Sequence, residues 1–454
     1  MMNTKALRQK ILDLAIHGKL VPQDPNDEPA SVLLERIKAE KERLIKEGKI
    51  KRTKRSKAAC DKPHYPFELP KGWVWCKLGD LFVLQAGKNI TAKDIFTEQS
   101  EQHNYPCFGG NGIRGYVTNS NRNGEFPIIG RQGALCGNIN LAIGEFYATE
   151  HAVVVERLSD TDLMWAYYTL IELNLNQYAT ATAQPGIAVN VINNVPIPVP
   201  PLKEQCRISK VVKLLFSLVD NIEQCKIDIQ ASIKQAKSKI LDLAIHGKLV
   251  PQDPNDEPAR ELLKRINPKA EITCDNPQYG KLPNGWCEVQ LGDVFNHNTG
   301  KALNASNTEG SMKRYLTTSN VYWNTFDFTT VKQMYYKDSE LDKCSITKGD
   351  LLVCEGGDVG RAAIWNFNYD ICIQNHLHRL RPKLGDLCVS LYYYVFYYLK
   401  VNNMIGGKGI GLLGLSSNAL HRLHVPLPPI NEQHRIVAKI EELFAQLDNI
   451  TSSI

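Results

Sequence analysis

Apolar residues recur at alternating intervals of three and four positions through the middle of the chain. This spacing places one apolar stripe along a helix, and its persistence over about five heptads is typical of a coiled-coil seam. It predicts a single central helix that spans roughly 50 Å at about 1.5 Å of rise per residue. The predicted seam consists of Ile208, Val211, Leu215, Leu218, Ile222, Cys225, Ile229, Ile233, Ala236, Ile240 and Leu243.

Both ends of the chain carry the same apolar spacing and predict further helices. The seam positions there are Ile436, Ile440, Leu443, Leu447, Ile450 and Ile454 at the C-terminus, and Leu7, Ile11 and Leu14 at the N-terminus. Gly18 and Gly247 follow the N-terminal and central helices, where glycine suits a left-handed cap. The segment PQDPNDEPA after each glycine predicts the start of another short helix.

Three sequence blocks occur twice, in the same order. Twenty residues, ILDLAIHGKLVPQDPNDEPA, start at Ile11 and recur unchanged from Ile240. LPKGWVWCKLGDLF at residue 69 matches LPNGWCEVQLGDVF at 282, and PPLKEQCRI at 200 matches PPINEQHRI at 428. A long segment repeated once indicates a tandem of two similar units. Because the C-terminal segment followed by the N-terminal one would nearly rebuild the central segment, we expect a circular, pseudo-two-fold organisation with neighbouring termini.

The regions between the repeated blocks have another character. They contain short runs rich in β-branched and aromatic residues, such as FPIIG at 126–130, HAVVVERL at 151–158 and GDLLVCEGG at 349–357, punctuated by Gly, Asn and Pro. One helix is expected in each region, near 163–173 and 387–399. The predicted fold class is α+β, with strand-rich domains at residues 59–199 and 273–427 and helical segments at 1–58, 200–272 and 428–454.

Composition and charge narrow the class of protein. The chain is 43% hydrophobic and 22% charged, and it has neither a signal-peptide core nor a run of about 18 apolar residues. Its twelve cysteines form no C-x-x-C pair, which favours reduced thiols over a metal site or disulfides. We therefore expect a cytoplasmic protein without a membrane segment. The net charge of +6 permits a polyanionic partner without requiring one.

Positive charge is concentrated between residues 38 and 57, where ten Lys or Arg accompany Glu40, Glu42 and Glu47. Such a run is either a solvated helix end with its linker or a segment that contacts phosphates. The sequence leaves both interpretations open.

Motifs of catalysis are incomplete in this chain. DNPQY at 275–279 comes close to the N-P-P-Y motif of amino-methyltransferases, but it lacks the second proline and its repeat partner reads DKPHY. Gly110, Gly112 and Gly115 satisfy G-x-G-x-x-G without the strand and helix that a dinucleotide site needs. With no P-loop and no placeable nuclease carboxylates, we expect no catalytic residue, metal or cofactor.

The paired L-P-x-G-W…L-G-D and P-P-[LI]-x-E-Q-x-R-I blocks, the repeated ILDLAIHGKLVPQD helices and the circular order resemble the specificity subunits of type I restriction-modification enzymes. The resemblance covers nearly the whole chain. It implies two target recognition domains separated by two long conserved helical segments that form an antiparallel coiled coil. It also implies a bipartite, asymmetric site on double-stranded DNA, two methyltransferase (M) subunits and, for cleavage, restriction-translocase (R) subunits.

Base readout requires Arg or Lys toward guanine and Asn or Gln toward adenine, carried on loops that reach a groove. Polar residues in Gly-rich loops of the two strand-rich domains satisfy this requirement. The candidates in the first domain are Lys88, Asn89, Asn111, Arg114, Arg131, Gln132 and Gln184, and those in the second are Lys301, Arg314, Ser319, Asn320, Arg361 and Lys408.

Two other functions fit parts of the pattern. The chain could serve as the recognition subunit of another restriction-modification type, which the neighbouring genes would reveal. It could also be a coiled-coil scaffold that binds no DNA, and such a scaffold would show no salt-dependent affinity for duplex.

Overall fold

The computed structural model of the chain describes residues 3–50, 67–158, 161–180, 185–270, 279–303, 308–405 and 415–453. Contacts divide the protein into two compact units, Met2–Cys225 and Lys226–Ile454, called here the N-terminal and C-terminal units.

The N-terminal unit alternates helices and strands. Its elements are α1 (Thr4–Ile16), α2 (Ala30–Lys46), β1 (Val74–Lys77), α3 (Leu78–Leu81), β2 (Phe82–Ala86), β3 (Tyr105–Gly109), β4 (Gly112–Val117), β5 (Arg122–Gly130), β6 (Ile139–Ala148), β7 (Ala152–Arg157), α4 (Leu163–Glu172), α5 (Val189–Asn193), β8 (Pro196–Val199) and the first part of α6 (Leu202–Ile245).

The C-terminal unit begins within α6. Its other elements are α7 (Ala259–Ile266), β9 (Cys287–Gln290), α8 (Leu291–Val294), β10 (Phe295–Thr299), β11 (Ser311–Leu316), β12 (Val321–Tyr322), β13 (Thr325–Phe326), β14 (Lys332–Tyr336), α9 (Asp338–Cys344), β15 (Ser345–Ile346), β16 (Leu351–Cys354), β17 (Ala362–Ile364), β18 (Ile371–Ile373), β19 (Leu377–Pro382), α10 (Val389–Val401), α11 (Ser417–His421), β20 (His424–Leu427) and α12 (Ile430–Ser453).

The predicted α+β class is confirmed, with strand-rich domains and long helices. The central seam forms one helix of 44 residues, α6. Gly18 and Gly247 both cap helices with a φ of 64°, a backbone conformation that glycine adopts without steric cost. Pairing of the helices as a coiled coil is not confirmed: the seam residues Leu218 and Ile229 are 49% and 38% exposed.

Within each unit a shorter helix contacts α6 in the same way. In the N-terminal unit, the Arg8 guanidinium lies 5.1 Å from the Phe216 ring centroid and 2.5 Å from the Asp220 carboxylate. In the C-terminal unit, the Lys237 ammonium lies 5.0 Å from the Phe444 ring centroid and 2.5 Å from Asp448. These contacts join α1 and α12, respectively, to their own parts of α6.

The two strand-rich domains share a strand order. The N-terminal sheet runs β2-β7-β5-β6-β3-β4, and the C-terminal unit has a sheet in the order β10-β19-β16-β17. These four strands match the first four of the N-terminal sheet. In the C-terminal unit, the counterpart of β3 is β11, which lies in a separate sheet ordered β14-β11-β18-β15. A small antiparallel pair, β1 with β8 or β9 with β20, joins the ends of each domain.

The repeated sequence blocks of the N-terminal unit converge on the start of α6. The Trp73 indole donates to Oε2 of Glu204 over 3.0 Å, and both residues are buried. The Gln205 amide donates to the Pro200 carbonyl, and its oxygen accepts from the Asp162 backbone amide. Arg207 pairs with Asp27, whose side chain is 2% exposed, over 2.5 Å.

The C-terminal unit repeats this arrangement at the start of α12. Trp286 donates to Glu432 over 2.9 Å, Gln433 donates to the Pro428 carbonyl, and Arg435 pairs with Asp256 over 2.5 Å. Each carboxylate is removed from water and therefore requires its donor. This dependence explains why the G-W, E-Q-x-R and N-D-E-P motifs recur together in the sequence.

Each cysteine in the described ranges is a free thiol. Across the same ranges, His, Cys, Asp and Glu side chains do not assemble into a group able to hold a metal ion. Among the helices that the structure describes, none has both the length and the apolar character to cross a bilayer.

Candidate nucleic-acid interface

Four loops of the N-terminal unit meet where β3 and β6 end. These strands are parallel, with Phe108 opposite Ala148, so their carboxyl ends reach the same edge. Lys88, just after β2, bridges to Thr149 after β6. Arg131, just after β5, donates its backbone N–H to the His151 carbonyl over 2.9 Å. Residues 87–89, 109–112, 131–138 and 149–151 form the N-terminal loop cluster.

The C-terminal unit builds the same edge from different residues. Parallel strands β11 and β18 pair Leu316 with Ile373, and Lys301 bridges to Gln374. Glu355 donates its backbone N–H to the His376 carbonyl over 3.0 Å. Residues 300–302, 317–320, 355–361 and 374–376 form the C-terminal loop cluster.

The hairpin loops of the two clusters share their backbone hydrogen bonds. Gly130 donates its N–H to the Asn138 carbonyl over 2.9 Å, as Cys354 donates to Arg361 over 2.8 Å. In each loop the residue before Asn138 or Arg361 is a glycine at positive φ, 88° or 84°. Position 131 therefore corresponds to position 355, and position 138 to position 361.

A close backbone approach fixes the first loop in each cluster. A Cβ on Gly87 would lie 2.1 Å from the Ala148 carbonyl oxygen, and a Cβ on Gly300 would lie 2.0 Å from that of Ile373. Only glycine fits at such distances. This close approach explains why both AGKNI and TGKAL have a glycine before the lysine.

The loops bring most predicted site residues of the N-terminal unit together. Lys88 and Asn89 are exposed, and the Asn111 side-chain oxygen accepts from the Asn138 amide over 2.7 Å. Arg114 lies over Gly109. Arg131 Nη1 lies 3.5 Å from the Glu150 carbonyl, and Gln132 forms a β-bridge with Gly186. Gln184 lies outside the described residues.

In the C-terminal unit several predicted site residues have partners within the protein. The Lys301 ammonium binds Glu340 over 2.6 Å, and the fully buried Asn320 amide donates to the Asp327 carbonyl over 2.9 Å. Ser319 is exposed beside the Thr317 hydroxyl, and Arg314 is exposed on β11 opposite Gln333. Lys408 lies outside the described residues. Their roles in DNA recognition stay predictions.

Arg361 is held in a defined orientation. Its Nη2 donates to the Thr318 carbonyl over 2.6 Å, and its guanidinium lies 4.7 Å from the Tyr322 ring centroid. Such a contact restrains a long side chain without using up all five of its donors. Arg361 therefore keeps N–H groups for a ligand.

Sequence reasoning missed Asn138, Glu355 and Tyr322. Asn138 and Glu355 lie at loop positions whose counterparts, Arg361 and Arg131, were predicted. The stretches between the G-K pairs and the two histidines that precede β7 and β19 differ in length, so the sequence alone did not pair these positions and the backbone hydrogen bonds did. Tyr322 left no sequence signal, because its contact with Arg361 joins separate hairpins.

The histidines differ in their environments. His297 and His378 contact each other over 3.0 Å in the domain interior, and His378 also contacts the Leu415 carbonyl. Burial, followed by the neighbouring His378, lowers the pKa of His297 to about 4, so it is neutral at pH 7. His376 is instead 56% exposed in its side chain, 3.4 Å from Glu355.

Comparison with known proteins gives one family throughout. The profile of the family described as "Type I restriction modification DNA specificity domain" matches residues 70–231 and 283–454. The Escherichia coli EcoAI specificity subunit is 27% identical over 97% of this chain and 88% of its own length, and the EcoEI subunit is 27% identical over 99% and 90%. The match to the EcoprrI subunit of the same species is 40% identical but spans 37% of this chain and 41% of that protein.

Two solved structures share the fold. A chain from a study of complex assembly and conformational transition of the type I R-M system superposes with a TM-score of 0.57, at 19% identity, over 86% of this chain and 94% of that one. The HsdS subunit from Thermoanaerobacter tengcongensis gives a TM-score of 0.51, at 19% identity, over 86% and 93%.

Proposed function

Since the chain belongs to the type I restriction-modification DNA specificity family, we propose that its two loop clusters read the two halves of an interrupted DNA site. The protein is a DNA sequence-specificity subunit. The observation that carries the proposal is the shared backbone of the two clusters, which present different side chains at corresponding positions.

The differences are differences in recognition chemistry. Arginine at 131 corresponds to glutamate at 355, and asparagine at 138 corresponds to arginine at 361. Arginine donates to guanine O6 and N7, asparagine pairs with adenine N6 and N7, and glutamate accepts from cytosine N4. Two clusters with these unlike sets read unlike sequences, so the composite site is asymmetric.

Contacts to phosphates position the protein without selecting sequence. The lysine after each close-approach glycine is common to both clusters, but Lys88 is exposed whereas Lys301 is paired with Glu340. The basic stretch within residues 38–57 lies partly outside the described ranges, and it supplies further positive charge. Neutralising Lys and Arg at residues 51–55 should weaken binding to every duplex equally and flatten the salt dependence.

The partners follow from the family. We propose that the chain assembles with two M subunits and with R subunits, and that the antiparallel pairing of its long helices holds the two recognition domains. The subunit itself is non-catalytic in this proposal, because methyl transfer and cleavage belong to the partners. The assembly acts on DNA in the cytoplasm. Relatives named as type I specificity subunits along nearly the whole chain support this assignment.

The test is reconstitution of the full chain with candidate M subunits. The full chain alone should transfer no methyl groups, whereas the assembly should methylate adenines at one interrupted, asymmetric sequence. Single-molecule mapping of methylated adenines identifies that sequence, and duplex binding should fall steeply with salt. Methylation by the purified chain alone, or a symmetric site, would refute the proposal.

A further inference from the structure

Glu355 is not among the DNA-contacting candidates predicted from the sequence, yet it occupies the position that corresponds to Arg131. We propose that Glu355 is a specificity-determining residue that accepts a hydrogen bond from the exocyclic N4 amino group of a cytosine in the second half-site. The inference rests on the proposed function, because it assigns a base to a side chain of the C-terminal loop cluster.

Position 355 is defined by backbone geometry shared with position 131. Glu355 N–H donates to the carbonyl of His376, and Arg131 N–H donates to that of His151. Each residue directly follows the last residue of the corresponding strand, β16 or β5. The place of Arg131 opposite a base of one half-site therefore corresponds to the place of Glu355 opposite a base of the other half-site.

The carboxylate of Glu355 is accessible. Its side chain is 33% exposed, and its side-chain hydrogen-bond partner is His376, 3.4 Å away and itself 56% exposed. The other acidic residue of the hairpin loop, Asp358, is instead bound to Lys400 over 2.6 Å. Glu355 thus keeps oxygen lone pairs for a ligand, and the histidine restrains its orientation.

A carboxylate on a DNA-facing loop is unfavourable unless a base compensates it. Two like charges about 4 Å apart repel by roughly 1 kcal/mol even in water. Removal of water from the interface raises the cost of leaving the carboxylate without a donor. In the major groove, amino groups of cytosine and adenine are the donors, and glutamate is the characteristic partner of cytosine. Arg131, at the corresponding position, carries the opposite charge and donates instead to the acceptors O6 and N7 of guanine.

The test uses the full chain assembled with its M subunits and duplexes randomised one position at a time across the mapped second half-site. Methylation rates of the wild type are compared with those of E355A, E355Q and the control D386N, which changes an exposed aspartate outside the loop cluster. E355A should lose about 5- to 100-fold of discrimination at one C·G pair. E355Q keeps the side-chain shape and should shift that same position toward adenine, since glutamine pairs with adenine N6 and N7.

D386N removes one negative charge from the same unit but outside the loop cluster, so it should leave every base preference unchanged. Unaltered selectivity in E355A and E355Q would overturn the inference while leaving the proposed function intact. Equal loss at all positions of the half-site would also overturn it, because a structural role has that effect. A wild-type assembly without any sequence preference would overturn the proposed function itself.

Discussion

Replacement of Trp73 by phenylalanine tests whether the repeated motifs act as one structural unit. In the wild type, the indole N–H donates over 3.0 Å to a Glu204 carboxylate that is 1% exposed. The other carboxylate oxygen, Oε1, already lacks a hydrogen-bond partner among the described residues. Trp73→Phe would therefore leave a buried charge without this donor.

The expected cost is large. A hydrogen bond to a charged group contributes about 1.5–3 kcal/mol, and the smaller ring removes apolar contacts of about 1 kcal/mol. The free energy of unfolding should fall by about 2.5–4 kcal/mol, a sizeable part of the stability of a typical domain. Trp286→Phe should cost about as much, because its indole lies 2.9 Å from an equally buried Glu432.

Urea unfolding of the full chain, followed by circular dichroism and by hydrogen exchange at the starts of α6 and α12, measures both effects. Trp75→Phe makes the same ring change on β1 without touching the Glu204 contact, so it is the matched control and should cost less than about 1 kcal/mol. Glu204→Gln keeps an acceptor for the indole and removes the charge whose burial raises the pKa of Glu204, so it should not destabilise at pH 7. Equal effects of Trp73→Phe and Trp75→Phe would refute the reasoning.

Three further predictions concern the loop clusters and one buried acid. Gly87→Ala and Gly300→Ala place a Cβ 2.1 and 2.0 Å from a carbonyl oxygen; each should weaken selectivity in one half-site only, measured by methylation of randomised duplexes. Arg131→Ala and Arg361→Ala should each relax one base position by about 1–3 kcal/mol of discrimination, and unchanged selectivity in both would exclude them as readers. Burial, with a smaller contribution from a nearby carboxylate, raises the pKa of Glu172 to about 7; stability should therefore decline as pH rises from about 4.5 to about 7. Relative to the wild type, Glu172→Gln should raise the free energy of unfolding at pH 8 by up to about 3 kcal/mol, with no difference below about pH 4 in urea titrations.

The helices and the strand-rich regions were predictable because periodicity determines them locally. The seam through Ile208 and Leu243 lies within α6, and the apolar runs at 126–130 and 151–158 fall in β5 and β7. What the helical stripe packs against was not predictable. Its exposed member Leu218 shows that apolar spacing alone does not identify a partner.

The site was predictable only in outline. Sequence composition marked the Gly-rich loops, but the state of each polar side chain depends on neighbours distant in the chain. The side-chain amide of Asn320 donates to the Asp327 carbonyl nearby in the chain, and Lys301 is paired with Glu340, 39 positions away. Glu355 was overlooked because its counterpart, Arg131, is recognised only through the hydrogen bonds to His376 and His151.

Exchange of one recognition domain shows whether the two loop clusters read two half-sites independently. Residues 59–199 are replaced by the corresponding domain of another family member, and methylated adenines are mapped for the assembled complex. One half-site should change while the other stays identical, because the frame contacts of Trp73, Glu204 and Arg207 recur in the C-terminal unit through its own residues. A change in both half-sites, or loss of all selective methylation in a complex that still assembles, would contradict independent reading.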